Sequence, residues 1–200
     1  MKTTIRTVFG VRTRQRGFTL FELIGVMALI GLATFAIMKA KRGADVGTNA
    51  QTLYNSVATI QTEAPKVYPG VFTGLTCGTL ADNSVFSSTS FRVDRTTPAT
   101  PVVFYSAEPN SQITCAPASV VVAGQNDGYT LTFPALTNEM CNAVADKLNQ
   151  SAWLMSVNGT PVKVLRGALN VATKGAQCNA AATNDNQTIV ATFTRSLPPQ

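Results

Sequence analysis

Phe18-Thr19-Leu20-Phe21-Glu22-Leu23-Ile24-Gly25-Val26-Met27-Ala28-Leu29-Ile30-Gly31-Leu32-Ala33-Thr34-Phe35-Ala36-Ile37-Met38 is a run of 21 residues with one charge, Glu22. As an α-helix it measures about 31 Å, enough to cross a hydrocarbon core. Lys39, Lys41 and Arg42 close it. Ahead of it, residues 1–17 hold Lys2, Arg6, Arg12, Arg14 and Arg16 and no acid. This excess of leading over trailing bases predicts a cytoplasmic N-terminus. A secretory signal peptide fits poorly, because the run exceeds the usual apolar length and no A-x-A site follows it. A single-span anchor fits better, except for Glu22. A carboxylate inside lipid costs about 2.5–3.5 kcal/mol on insertion scales, which makes Glu22 a candidate functional residue. It lies one helical turn after Phe18. A cut between Gly17 and Phe18 would create an α-amine of opposite charge at the same depth, for Glu22 to pair with in its own chain or a neighbour's.

The stretch Arg16-Gly17-Phe18-Thr19-Leu20-Phe21-Glu22-Leu23 resembles the cleavage motif of type IV prepilins. That motif joins a basic leader, a Gly, an aromatic or Met, a short apolar step, a Glu at the fifth mature position and an apolar helix. The resemblance implies that a prepilin peptidase cuts after Gly17 and N-methylates Phe18, and that Glu22 registers incoming subunits. It divides the chain into a leader over 1–17, a helix over 18–63 and a globular head over 64–200. The helix has an apolar transmembrane and assembly half, 18–38, and an amphipathic half, 39–63.

The amphipathic half rests on spacing. Val46, Ala50, Leu53, Val57, Ile60 and Ala64 recur every three or four residues, while Asn49, Gln51, Asn55, Thr59 and Thr62 occupy the other face. Ala64-Pro65 predicts the helix end. Gly25 and Gly31 weaken the apolar half in water and mark either local unwinding or close helix packing.

Composition limits the function. The chain has 200 residues, 45% hydrophobic and 13% charged, with a formal net charge of +6. Five of the sixteen bases lie in the leader, so the rest of the chain is close to neutral. No nucleic-acid site follows from that placement. Histidine is absent, which excludes His-based triads and His-ligated metal sites. No phosphate-binding glycine loop occurs. No cofactor, metal site or catalytic constellation is expected.

Four cysteines, Cys77, Cys115, Cys141 and Cys178, are even in number and widely spaced, which reads as a disulfide framework from an oxidising compartment. Spacing alone leaves three pairings open.

Residues 65–116 read as a loop-heavy connection with short strands at 91–93 and 102–105. Further strands are expected at 119–123, across Tyr129, Leu131 and Phe133 after the turn Asn126-Asp127-Gly128, at 161–165 and at 188–193. Thr137 caps a helix running to about Asn149, with Leu136, Met140, Val144 and Leu148 as its apolar stripe. The fold class is α+β: a long N-terminal helix on an antiparallel sheet with a second helix.

This plan is similar to the type IVb pilin subclass, which includes bundle-forming, toxin-coregulated and conjugative thin-pilus pilins. In those, a Cys on a helix of the head is bonded to a Cys near the C-terminus, which implies Cys141–Cys178 here. We expect Cys77–Cys115 beside it, a bridge outside the subclass's shared pattern. The 17-residue leader is shorter than many in the subclass, and Phe18 is a first residue more usual in type IVa pilins.

Three sequons, at Asn149, Asn158 and Asn186, are of a kind that arises by chance in so Asn- and Thr-rich a chain. Trp153 is expected in the core. Asp82, Asp94 and Asp127 lack calcium-loop spacing. Lys163, Arg166 and Lys174 are expected on a solvated face.

The resemblance implies the major subunit of a type IV pilus, a helical homopolymer. The precursor would sit in the bacterial inner membrane, and the pilus assembly machinery would extract it into an extracellular filament. A minor pilin or type II secretion pseudopilin shares the N-terminus and is the alternative; a membrane-anchored periplasmic binding protein is a more distant one.

Overall fold

The computed structural model describes residues 20–86, 90–96, 100–107, 111–165, 167–180 and 186–195. Gly17, Phe18 and Arg166 lie outside the described residues. The chain divides into two units, Met1–Arg42 and Gly43–Gln200.

Helix α1 covers Leu20–Val67. In the first unit its apolar side chains are largely exposed: Phe21 is 85% exposed, Leu29 68% and Leu32 68%. The segment is long and apolar enough to cross a membrane. Gly25 and Gly31 are helical, and a Cβ at either position would meet open space.

In the second unit α1 buries one stripe. Ala50, Leu53, Val57, Ile60 and Ala64 are fully or almost fully enclosed. Burial of each larger side chain contributes about 1.5–3 kcal/mol relative to exposure. The helix runs past the expected stop at Pro65 to Val67. Pro65 lies in the last turn, where its ring removes only one ladder bond, and the Tyr68 N–H still reaches the Ala64 carbonyl at 3.0 Å.

Among the described residues seven antiparallel strands form one sheet in the order β1-β2-β3-β4-β7-β5-β6. They are β1 (Phe91–Asp94), β2 (Val102–Tyr105), β3 (Gln112–Ala118), β4 (Gly128–Leu136), β5 (Leu154–Val157), β6 (Thr160–Lys163) and β7 (Gln187–Thr194). The last strand is thus interior, paired with β4 on one side and β5 on the other. Its period of two puts Ile189, Ala191 and Phe193 in the core at 0% exposure. Tyr129, Leu131 and Phe133 do the same on β4. Among the described residues three further helices are α2 (Cys77–Asp82), α3 (Asn138–Leu148) and α4 (Val171–Cys178). Thr137 caps α3, its side chain accepting from the Met140 N–H.

The expected strand over 119–123 is instead an exposed loop. The Asp127 carboxylate accepts from the backbone N–H groups of Val120, Val121 and Val122 at 2.6, 2.8 and 3.0 Å. Those donors are taken from any ladder, so the β-branched run turns outward. The expected loop over 65–116 contains α2, capped by Thr76 and Thr79 in a reciprocal box. Strand β5 and helix α4 are also additions to the sequence expectation.

Candidate functional site

The N-terminal residues of interest begin from a helix with no core of its own. Glu22 is a helical residue of α1 in the apolar first unit. Its expected partner, the Phe18 amine, lies outside the described residues.

The head is fastened twice by disulfides. Cys77, the first residue of α2, is bonded to Cys115 on β3, with Cα atoms 5.0 Å apart. Cys141 on α3 is bonded to Cys178, the last residue of α4, with Cα atoms 5.6 Å apart. The first bridge ties the 76–86 segment to the sheet, and the second ties two helices together. Cys141 and Cys178 are both fully enclosed, whereas Cys115 is only half-buried.

Polar groups secure the same region. Lys174 on α4, 6% exposed, donates to both Asp146 oxygens at 2.8 and 2.9 Å. Lys163, 7% exposed, donates to the Asn149 carbonyl at the C-terminal end of α3, where a cation also complements the helix dipole. Burial pushes the Lys163 ammonium below its ordinary value. Neither lysine is on the solvated face expected from the sequence. A carboxylate and a helix end supplied by other segments bring them inside.

Asn158 opens the β5–β6 turn at φ 50° and is followed by Gly159 at φ 80°, a pairing that favours Asn-Gly. Its amide donates to the Gln177 carbonyl and to Gln187 Oε1, while its oxygen accepts from the Thr188 N–H. That amide is committed to the fold, so the Asn158 sequon is structural. Trp153 is buried as expected, at 6% exposure.

Asp82 pairs with Arg95, Asp94 accepts from the Thr96 N–H at 2.9 Å, and Asp127 holds its own loop. The three carboxylates serve separate local contacts. Among the described residues no cluster of acidic or cysteine side chains could hold a metal ion. An open cleft of about 500 Å³ lies between α1 and the end of β7, lined by Tyr54, Gln61, Thr62, Ser151, Thr194 and Arg195. Nothing in the sequence pointed to it, since its two walls are more than eighty residues apart in the chain.

The family model described as PilS N terminal matches residues 47–194, and that described as the prokaryotic N-terminal methylation motif matches residues 12–38. The chain belongs to the PilS family of type IV pilins. This pilin's fold is similar to the crystal structure of a type IVb pilin from Salmonella typhi, with a TM-score of 0.55 and 18% identity over 74% of this chain and 99% of that one. No curated protein matches the chain in sequence. The family and fold are structural, and the second bridge of this pilin, Cys141–Cys178, joins the helix and C-terminal cysteines expected for the type IVb plan.

Proposed function

We propose that the chain is the major subunit of a type IV pilus, made as a precursor with a leader over 1–17 and assembled into a helical surface filament. The observation that carries this reading is the bare apolar stretch of α1 in the first unit, directly within the N-terminal methylation motif match. Exposed side chains such as Phe21 and Leu29 need lipid before assembly and neighbouring helices after it. Prepilin peptidase cuts after Gly17 and methylates the Phe18 amine. Glu22 then pairs with an α-amine of the growing filament, which relieves the cost of its charge in an apolar bundle and fixes register. The head, fastened by two disulfides, faces the exterior.

Gly17 and Glu22 are tested separately. Gly17→Val puts a branched side chain where the peptidase needs bare backbone, so uncut precursor should accumulate in membranes. Glu22→Val should be inserted and cut normally yet yield few filaments. Immunoblots of membranes and sheared fibres read both. Normal cutting of the Gly17 variant, or abundant pili from the Glu22 variant, would remove the assigned roles.

A further inference from the structure

The cleft beside α1 combines a fixed cation, an aromatic ring and neutral hydrogen-bonding groups. One wall is a stripe of α1 that includes Tyr54, Gln61 and Pro65; the other is Ser151, Thr194 and Arg195. From Tyr54 to Pro65 the stripe runs about 16 Å. The volume of about 500 Å³ lies within the range of small-molecule sites. Gln61 Nε2 donates to the Ser151 carbonyl at 3.2 Å, so the two walls are tied together before any ligand enters.

Arg195 supplies the charge. It is exposed yet held: Nη2 donates to the Tyr68 carbonyl, and the guanidinium carbon lies 5.3 Å from the centroid of the Phe72 ring. A guanidinium carries five N–H donors in a planar fork, so the Tyr68 contact leaves donors for a carboxylate. Being held already, the side chain loses little freedom when an anion arrives. Among the described residues that line the cleft, Arg195 carries the only charge. One cation matches one carboxylate, whereas a phosphate dianion would stay half neutralised.

The neutral groups determine what carries that carboxylate. Tyr54 is half-buried on the stripe, and its hydroxyl forms no hydrogen bond among the described residues. The Thr62 and Ser151 hydroxyls donate to the Ala58 and Leu148 carbonyls at 3.0 and 3.4 Å, which leaves each oxygen able to accept. Gln61 spends one amide hydrogen on Ser151 and keeps a donor and its acceptor oxygen. Neutral donors and acceptors set around an aromatic ring match a sugar. Its hydroxyls both give and take hydrogen bonds, and the C–H face of its ring lies flat on an aromatic surface. A fatty or aryl carboxylate would cover these polar groups without pairing them, at about 1–3 kcal/mol for each one desolvated. We propose that the cleft binds an acidic saccharide, a pyranose ring bearing one carboxylate. Arg195 takes the carboxylate, Tyr54 the ring face, and Gln61, Thr62 and Ser151 the hydroxyls.

The test is a ligand-observed NMR titration of the full-length chain in a non-ionic, sugar-free detergent. The probes are the methyl glycosides of glucuronic acid and N-acetylneuraminic acid, which carry the carboxylate at different ring carbons. At least one should bind with a Kd of about 1 mM or tighter, and the tighter of the two shows where the carboxylate sits. Methyl glucoside, which lacks the charge, and acetate, which lacks the ring, should each bind at least about tenfold more weakly. Arg195→Gln should weaken the acidic glycoside at least about tenfold. Because Arg195 also braces Tyr68 and Phe72, Tyr54→Ala provides a variant that leaves that bracing alone, and it should weaken the same glycoside about fivefold. Four results would overturn the site: no saturable binding of either acidic glycoside, methyl glucoside bound as tightly, acetate bound as tightly, or unchanged affinity in either variant.

Discussion

Cys141 of α3 and Cys178 of α4 form a disulfide that lies wholly inside the head, with both residues at 0% exposure. It closes a separation of 37 residues, and Cys77–Cys115 closes 38. In the chain-entropy model each closure stabilises by roughly 4 kcal/mol, so loop length does not rank them. Position does. The Cys141–Cys178 loop contains most of α3, then β5, β6 and α4, and β5 pairs directly with β7 in the interior of the sheet. Among the described residues the Cys77–Cys115 loop contains α2, β1, β2 and part of β3, at one end of the sheet.

Cys178→Ser should therefore lower subunit levels and abolish pili, and Cys77→Ser should be milder. Steady-state immunoblots and fibre counts read this difference. Equal loss from both variants would show that the two bridges carry similar structural weight.

The two bridges should also differ in access. Cys115 is half-buried, so the Cys77–Cys115 bond should be reduced and alkylated first in the folded protein. Peptide mapping after mild reduction reads the order. Labelling of Cys141 or Cys178 ahead of Cys115 would contradict it.

The Asp127 loop gives a pH prediction. Partial burial pushes its carboxyl up, but the N–H groups of Val120, Val121 and Val122 outweigh that and leave it below its ordinary value. A lowered folded value means the stabilisation is present above about pH 3.9, the unfolded value, and fades as pH falls through the lower folded value. Asp127→Asn keeps the shape and loses the charge. It should cost about 1 kcal/mol at neutral pH, with partial solvent contact limiting the effect, and it should flatten the acid limb of a stability profile. An unchanged acid limb would show that the loop is held by something other than the carboxylate.

Gly128 supplies a packing prediction. A Cβ there would stand 2.5 Å from the Phe193 carbonyl oxygen and 2.6 Å from Val120 Cγ2. The valine can rotate, but the interior strand's backbone cannot move without disturbing the β4–β7 register. Gly128→Ala should destabilise by about 1–3 kcal/mol. Thermal unfolding of the purified head checks it, and an unchanged midpoint would mean the strands can separate there at little cost.

Much of the fold is legible because its determinants are local. The α1 stripe from Ala50 to Ala64 follows from its spacing, and α3 follows from Thr137 and the Met140, Val144, Leu148 period. What is not legible depends on partners far away in sequence. Val120–Val122 has strand composition, yet a carboxylate several residues on claims its donors. Lys163 and Lys174 look like surface residues until the α3 end and Asp146 come beside them. Strand β5 has only four residues, Leu154–Val157, too few to show a period. The cleft at Arg195 exists only once β7 has returned beside α1. The proposed processing site is the reverse case: Gly17, Phe18 and Glu22 stand out by motif chemistry, and the roles proposed for them belong to processing and assembly rather than to the fold of one chain.

Fibres sheared from cells, seen by electron microscopy and analysed by intact-protein mass spectrometry, test the central claim most directly. The account predicts that the dominant fibre protein is this chain beginning at Phe18, with an N-methylated amine, residues 18–200 present and both disulfides closed. Fibres that lack the chain, or that contain it only as a trace beside another subunit, would contradict its role as the major pilin.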